Sequence, residues 1–182
     1  MGQSVPKDTI RKAEMAKTLT RSPDADLYET DYHRWLEVKA DLLREGRLEA
    51  VDVLNLIEDL EELAVSERAA VESHAETIVE HLLKLQYSPA ERPRRGWRLT
   101  ISRHRGRLSK RLSATLRRHL EGSLGDVFKD ARRAAAIALE VDRVPPNRLP
   151  TECPYSLDQI LDPDWLPANL HGTSDQTPEG AS

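Results

Sequence analysis

The residues of this sequence that could carry chemistry lie on either side of a proline-containing joint. His81 and Lys84 belong to an apolar helical stretch, VEHLLKLQY, and Trp97 and Arg103 follow the joint in the basic stretch GWRLTISRHR. A histidine can act as an acid, a base or a metal ligand near neutral pH. The sequence therefore indicates a candidate functional cluster of these four residues. The competing interpretation is that they only pack and seal the joint between two helices.

Histidine spacing bears on metal binding. His74 and His81 lie seven residues apart, nearly on one helix face, so they could ligate a metal or act as acid–base groups. A carboxylate-bridged di-iron bundle requires Glu-x-x-His on two helices. The residues three places before the six histidines are Thr30, Val71, Ile78, Ile101, Leu116 and Ala168. None is Glu, so the sequence predicts no metal and no cofactor, and it indicates that His81 forms a hydrogen bond within the protein.

Several common activities lack their signatures here. The sequence contains no Gly-x-Gly-x-x-Gly, no Walker loop, no Gly-x-Ser-x-Gly and no His-Glu-x-x-His. Its one cysteine, Cys153, allows neither an intrachain disulfide nor a cysteine-cluster zinc site. We therefore expect a protein that is not an enzyme. We also expect Trp97, which follows the proline-containing joint, to be a buried core residue there.

Charge is distributed very unevenly along the chain. Residues 45–80 contain eleven acids and two bases, whereas residues 91–119 contain eleven bases and one acid. Like charges at i,i+4 destabilise a helix by a few tenths of a kcal/mol each, roughly, so an opposing basic helix would offset the cost of the acidic one. Alternatively, the basic helix 94–119 is a phosphate-binding stripe, although the net charge of −4 does not favour it.

A helical wheel divides the cations of the basic helix into two rows. The flank row is Arg107, Arg111 and Arg118, and the outward row is Arg103, Lys110 and Arg117. We expect the flank row to lie near carboxylates of the same chain or of a second copy. We expect the outward row to lack carboxylates within the chain, which would leave it available to bind a partner.

These residues must be positioned by helices, because apolar residues recur with a 3.6-residue period and no strand alternation is present. The predicted helices span about 30–45, 52–86, 97–121 and 127–141. The apolar pattern weakens near 65–68, so either one helix of over 30 residues bends there or two helices meet. Because the mean helix has about 11–12 residues, a break is favoured. Further predictions are N-caps at Asp52, Gly96 and Asp126 and a capping box from Ser156 to Gln159.

The sequence therefore predicts an all-α fold: a bundle of four to five helices, with a short C-terminal helix and an extended strap. Residues 1–26 are expected to form a flexible N-terminal extension, residues 27–167 a single helical domain, and residues 168–182 a disordered tail. No segment approaches the roughly 18 apolar residues of a membrane span, so we expect no membrane association and a cytoplasmic location.

The order of motifs resembles the bacterial domain of unknown function 29 family. The resemblance covers about residues 28–167 and rests on YETDYHRWLEVKADLLREGRLEAVDVLNLIEDLEEL, SER, HLLKLQYSP, GWRLTISRHR, DVFKDARRAAAIALE and ECPYSLDQILDPDWLP. It implies an all-helical fold and no assigned activity. The chain departs from the expected pattern at Gly96, where a serine is expected, and at NRLP (147–150), where Phe-Pro is expected.

Three functional hypotheses follow from the sequence. The first is a non-enzymatic helical interaction module of the bacterial cytoplasm that binds a protein partner or forms a homo-oligomer. The second is a nucleic-acid-binding accessory protein that uses the basic helix 94–119. The third is an enzyme or metal site around His81.

Overall fold

The chain is mostly helical in the part that the computed structural model describes, residues 25–172, with side chains described from Leu27 onward. Its six α-helices are α1 (Ala25–Thr30), α2 (Tyr32–Arg44), α3 (Val53–Tyr87), α4 (Arg94–Arg111), α5 (Ala114–Leu139) and α6 (Leu157–Leu161). Two 3-10 turns occur at Leu48–Ala50 and Pro146–Arg148. No strand occurs within these residues, which confirms the predicted all-α class.

The predicted N-terminal extension lies outside the described residues up to position 24, and so does the predicted tail from position 173. Contacts divide the chain into two compact units, Met1–Glu62 and Leu63–Ser182. The division falls inside α3, and the units are described separately below. A single domain over 27–167 stays a prediction.

Helix α3 runs unbroken for 35 residues, so the break predicted near 65–68 is wrong. No glycine or proline occurs between Val53 and Tyr87, and nothing in the local sequence therefore interrupts the helix. At its start, the backbone N–H of Asn55 donates to Oδ1 of Asp52 at 3.4 Å, as expected of an N-cap. The helix ends just before Ser88-Pro89, since a residue that precedes proline is disfavoured in the helical conformation.

The break between α4 and α5 lies at Leu112-Ser113 rather than at Gly122. The Ser113 hydroxyl accepts from the backbone N–H of Leu116 at 3.3 Å and so caps α5. Gly122 and Asp126 lie inside α5, so the predicted N-cap at Asp126 is wrong. A glycine within a helix costs only about 1 kcal/mol, which packing readily offsets.

Two other predicted helix starts also change. Helix α4 begins at Arg94 directly after Pro93, so Gly96 lies in its first turn and does not cap it. The predicted helix 30–45 is replaced by α1 and α2, because Asp31 interrupts the helix and accepts from the backbone N–H of Arg34 at 3.0 Å.

An aromatic cluster forms the core of the first unit. The fully buried Trp35 ring lies edge-to-face with Tyr28, with centroids 5.0 Å apart, and stacks with Tyr32 at 5.9 Å. The ammonium of buried Lys39 lies 5.5 Å from the Trp35 ring centroid. The Tyr28 hydroxyl donates to Asp59 at 3.3 Å, which ties α1 to α3 within this unit.

The core of the second unit is largely aliphatic. It is built from the later turns of α3, from α4 and α5, and from the segment after α5; its fully buried members include Val71, Ala75, Ile78, Leu82, Ile101, Leu108, Leu120, Ala131 and Ile160. Burial of one such side chain contributes roughly 1.5–3 kcal/mol for the larger residues. The C-terminal segment packs on this core and contains the predicted capping box, in which Ser156 and Gln159 bond reciprocally.

Candidate functional site

His81 lies on α3 and is mostly buried. Its ring Nδ1 donates to the backbone carbonyl of Thr77, 2.9 Å away and one turn earlier, which confirms the predicted hydrogen bond within the protein. That acceptor is a carbonyl, so Nδ1 carries the proton. Burial lowers the pKa of His81; the Thr77 carbonyl opposes this shift and the Lys84 ammonium adds to it.

A pair of histidine rings joins α3 to α4. His74 and His104 lie edge-to-face with ring centroids 5.1 Å apart, and the Nδ1 atom of His104 is buried without a hydrogen-bond partner. Burial lowers the pKa of both imidazoles, and the Arg107 guanidinium lowers both further. Among residues 27–172, no three metal-ligating side chains lie close enough together to hold an ion.

These histidines make stability depend on pH. Because their pKa values lie below the ordinary 6.5, the unfolded chain binds more protons than the folded one as the pH falls through 6.5. We expect the free energy of unfolding to be highest above pH 6.5 and to decrease toward pH 5.5, as urea unfolding at several pH values would measure. The double variant His74→Gln, His104→Gln should reduce this dependence and leave the part that His81 contributes. An unaltered slope in the double variant would show that other groups cause it.

The four residues of the predicted cluster differ in their burial and in their partners. Lys84 is buried and pairs with Glu80, whose carboxylate also lies 4.0 Å from Nδ1 of His81. Trp97 is partly buried and packs against the core, so the prediction of a buried core residue at the joint is only partly correct. Arg103 is exposed and takes part in no ion pair among the described residues. The structure therefore brings His81 and Lys84 together through Glu80, without Arg103.

The predicted cation rows are only partly correct. Arg111 pairs with Glu67 at 2.8 Å, as the flank row predicts, but Arg107 and Arg118 form no ion pair within the described chain. Arg117, placed in the outward row, pairs with Asp158 at 2.6 Å and with Glu121 at 3.2 Å. The wheel failed because the break at Leu112-Ser113 puts Arg117 and Arg118 on a different helix from the other cations.

Two buried arginines were not recognised in the sequence. Arg94 donates to the carbonyl of Leu85 at 2.9 Å across the joint. Arg105 donates from Nε to the carbonyl of Ile160 at 2.8 Å, and its two terminal nitrogens donate to Gln159, Pro163 and Trp165 at 2.9–3.4 Å. The sequence signal for Arg105 is its spacing on the helix. Arg105 lies four residues after Ile101 and three before Leu108, so it falls on the same face of α4 as these two apolar residues.

The first turns of α3 present apolar side chains to solvent. Val53, Leu54, Ile57 and Leu60 are between 46% and 64% exposed. Val53, Ile57 and Leu60 fall within about 60° of arc on the helix. On a helical wheel, the same stripe continues through Val71 and Ala75, where the second unit buries it. The apolar stripe of α3 is thus covered along its later turns and uncovered along its first turns.

Acidic side chains border this uncovered part of the stripe. Glu58, Glu61 and Glu62 are exposed, and none of them forms an ion pair with another described residue. No basic residue occurs between Val53 and Val65. The sequence showed the acids and the periodicity, but only the structure shows which part of the stripe is uncovered. We call Val53, Leu54, Ile57 and Leu60, with these three glutamates, the acidic apolar face.

The fold and these features define an all-α helical protein. The chain belongs to the family of the domain of unknown function DUF29, whose model matches residues 27–166. No curated protein and no solved structure shows significant similarity to the chain. None of the helices in residues 25–172 is both long and apolar enough to cross a bilayer.

Proposed function

We propose that this protein is a non-enzymatic helical interaction module of the bacterial cytoplasm, and that it binds a protein partner through the acidic apolar face. The observation that carries the proposal is the uncovered apolar stripe of α3. Scattered exposed apolar residues need no explanation, but a contiguous exposed row on one helix face is typical of an interaction surface. The first unit itself contains this whole face.

Charge complementarity selects the partner. The apolar row is bordered by Glu58, Glu61 and Glu62, which no cation of the described chain neutralises through an ion pair. A second copy docked through the same face would bring these carboxylates toward one another, which costs free energy. A partner helix with apolar residues at i, i+3 and i+7, flanked by lysine or arginine, would match both features. We therefore propose a basic amphipathic helix as the occupant.

Two synthetic helical peptides with the same apolar positions test this proposal. One carries lysine and the other glutamate at every polar position, and each is labelled for fluorescence anisotropy. We expect the full chain to bind the lysine peptide, more weakly at high salt, and to bind the glutamate peptide at least tenfold less tightly. The double variant Ile57→Lys, Leu60→Lys should weaken binding of the lysine peptide at least tenfold, because it removes apolar contact and adds repulsion.

A matched control distinguishes binding at this face from nonspecific binding to exposed apolar residues. Ile137 is also exposed, at 63%, but lies on α5 in the second unit, so Ile137→Lys should bind the lysine peptide as the wild type does. Equal binding by the wild type and by the double variant would refute the proposed face. Dimerisation that the double variant abolishes, measured by light scattering, would identify a second copy as the occupant instead.

Nucleic-acid binding remains a second candidate because Arg103, Arg107 and Lys110 on α4 are exposed and form no ion pair among the described residues. Phosphate contacts would make any such binding strongly salt-dependent. Retardation of duplex DNA at low salt that Arg103→Glu, Lys110→Glu abolishes, with no effect of the α3 variant, would favour this candidate. The third hypothesis, an enzyme or metal site around His81, has no observation in its favour.

A further inference from the structure

A cavity of about 550 Å³ lies within the second unit, where the end of α3 meets the turn after α5 and the last described residues. Its apolar lining includes Tyr87, Pro145 and Leu170, and its polar lining includes Arg143, Arg148 and His171. Small-molecule sites usually have volumes of roughly 300–1,000 Å³, with apolar walls and a few convergent polar groups. The cavity fits that description, and its lining includes none of His74, His81 and His104 and no residue of the acidic apolar face.

Arg143 has an unusual backbone conformation at this cavity. Its φ of +57° is left-handed, and no other non-glycine residue in the described chain has a positive φ. The turn has the bonds of a Schellman motif, since Val144 N–H donates to the Leu139 carbonyl at 3.2 Å and Arg143 N–H to the Glu140 carbonyl at 3.0 Å. Glycine is the usual residue at the left-handed position of that motif. The chain thus has an arginine side chain where the backbone alone favours glycine.

The lining of the cavity carries more positive than negative charge. Arg143 and Arg148 are exposed, and neither forms an ion pair with a described carboxylate. The lining contains one carboxylate, Asp142, which accepts a hydrogen bond from the buried Ser88 hydroxyl. Two unpaired guanidinium groups at one cavity can recognise a phosphate through bidentate hydrogen bonds.

Other bonds hold the walls of the cavity in place. Nε2 of His171 donates to the Tyr87 carbonyl at 3.0 Å, and Leu170 N–H donates to the Gln86 carbonyl at 2.9 Å. The Asn169 side-chain amide donates to the carbonyls of Leu85 and Ser88 at 2.8 and 2.9 Å. These bonds fix the last described residues against the end of α3, so the apolar wall is formed before any ligand binds.

We propose that this cavity binds a small phosphate monoester that also carries a planar ring, of the nucleoside monophosphate class. Arg143 and Arg148 bind the phosphate, and the ring packs against Tyr87, Pro145 and Leu170. The strained backbone of Arg143 is retained because its guanidinium is needed at the phosphate. This inference does not depend on the proposed interaction with a helix.

Isothermal titration of the full chain with adenosine 5′-monophosphate tests this site, with phenyl phosphate, adenosine and inorganic phosphate as comparison ligands. We expect the monophosphate to bind with Kd below about 1 mM, and adenosine and inorganic phosphate each to bind at least tenfold more weakly. Arg143→Gly and Arg148→Gln should each weaken monophosphate binding at least tenfold. Arg133 lies on α5, the helix that precedes the turn, and pairs with Asp130 at 3.2 Å. Arg133→Gln should therefore leave the affinity for the monophosphate unchanged.

The melting temperature of Arg143→Gly distinguishes a binding role from a structural one. Because glycine adopts a positive φ without strain, the variant without ligand should melt at the same temperature as the wild type or higher. A lower melting temperature would show that Arg143 supports the fold instead. Undetectable binding of the monophosphate, or binding that Arg143→Gly and Arg148→Gln leave unchanged, would also overturn the proposal.

Discussion

Replacement of Arg105 by methionine is expected to lower the free energy of unfolding of the second unit by about 3–5 kcal/mol. Arg105 is 5% exposed, and its guanidinium donates to the carbonyls of Gln159, Ile160, Pro163 and Trp165. Methionine has similar length but no donor, so it leaves these carbonyls unpaired beside an apolar core. Urea unfolding followed by circular dichroism measures the loss.

Two further variants make the Arg105 result specific. Arg103→Met changes an exposed arginine on the same helix and should alter stability by no more than about 0.5 kcal/mol. Arg105→Lys keeps the positive charge but lacks the planar guanidinium with its several N–H donors. It should therefore recover only part of the lost unfolding free energy. Proteolysis should cut near α6 much faster in Arg105→Met than in the wild type. Equal cleavage would mean that Arg105 does not hold the segment that contains α6.

Replacement of Trp35 by alanine should have a comparable effect on the first unit. The ring is fully buried and contacts Tyr28, Tyr32 and the Lys39 ammonium. Deletion of a buried tryptophan side chain usually costs about 3–5 kcal/mol. Because the Trp35 ring packs within the first unit, hydrogen exchange of the α2 amides should measure this loss more directly than a melting curve of the whole chain.

Trp97 provides the matched comparison for Trp35. It is half-buried at the edge of the core of the second unit, so Trp97→Ala should cost only about 2 kcal/mol. That value is smaller than a fully buried ring would imply. A larger loss of unfolding free energy for Trp97→Ala than for Trp35→Ala would contradict the difference in burial. It would mean that Trp97 stabilises the joint more than its exposure indicates.

Local sequence was sufficient for the helical class and for several helix ends. The Asp52 cap and the Ser156–Gln159 capping box both depend on residues within one turn of each other. Such signals act through nearby backbone groups, so they can be recognised without knowledge of the rest of the chain. Residue order also sufficed to recognise the family.

Helix continuity depended on competition between local signals of similar strength. The apolar pattern of α3 weakens near 65–68, yet the helix continues, and α4 stops at Leu112-Ser113 although its apolar face continues in the sequence. A serine cap and an interior glycine each change the free energy by about 1 kcal/mol, so tertiary packing decides between them. Because the helix break at Leu112-Ser113 was not predicted, Arg117 was assigned to the outward row. Its ion pair with Asp158 joins residues 41 positions apart in the sequence.

The candidate sites were decided by tertiary structure alone. Arg105 is buried because carbonyls 54–60 residues later in the chain lie beside it and compensate for its lost hydration. Val53, Ile57 and Leu60 are exposed and Val71 and Ala75 buried, although all five belong to one stripe of one helix. The sequence by itself determined which side chains are apolar and which are charged. Only the tertiary structure decided which of them are covered, because burial depends on segments that are distant along the chain.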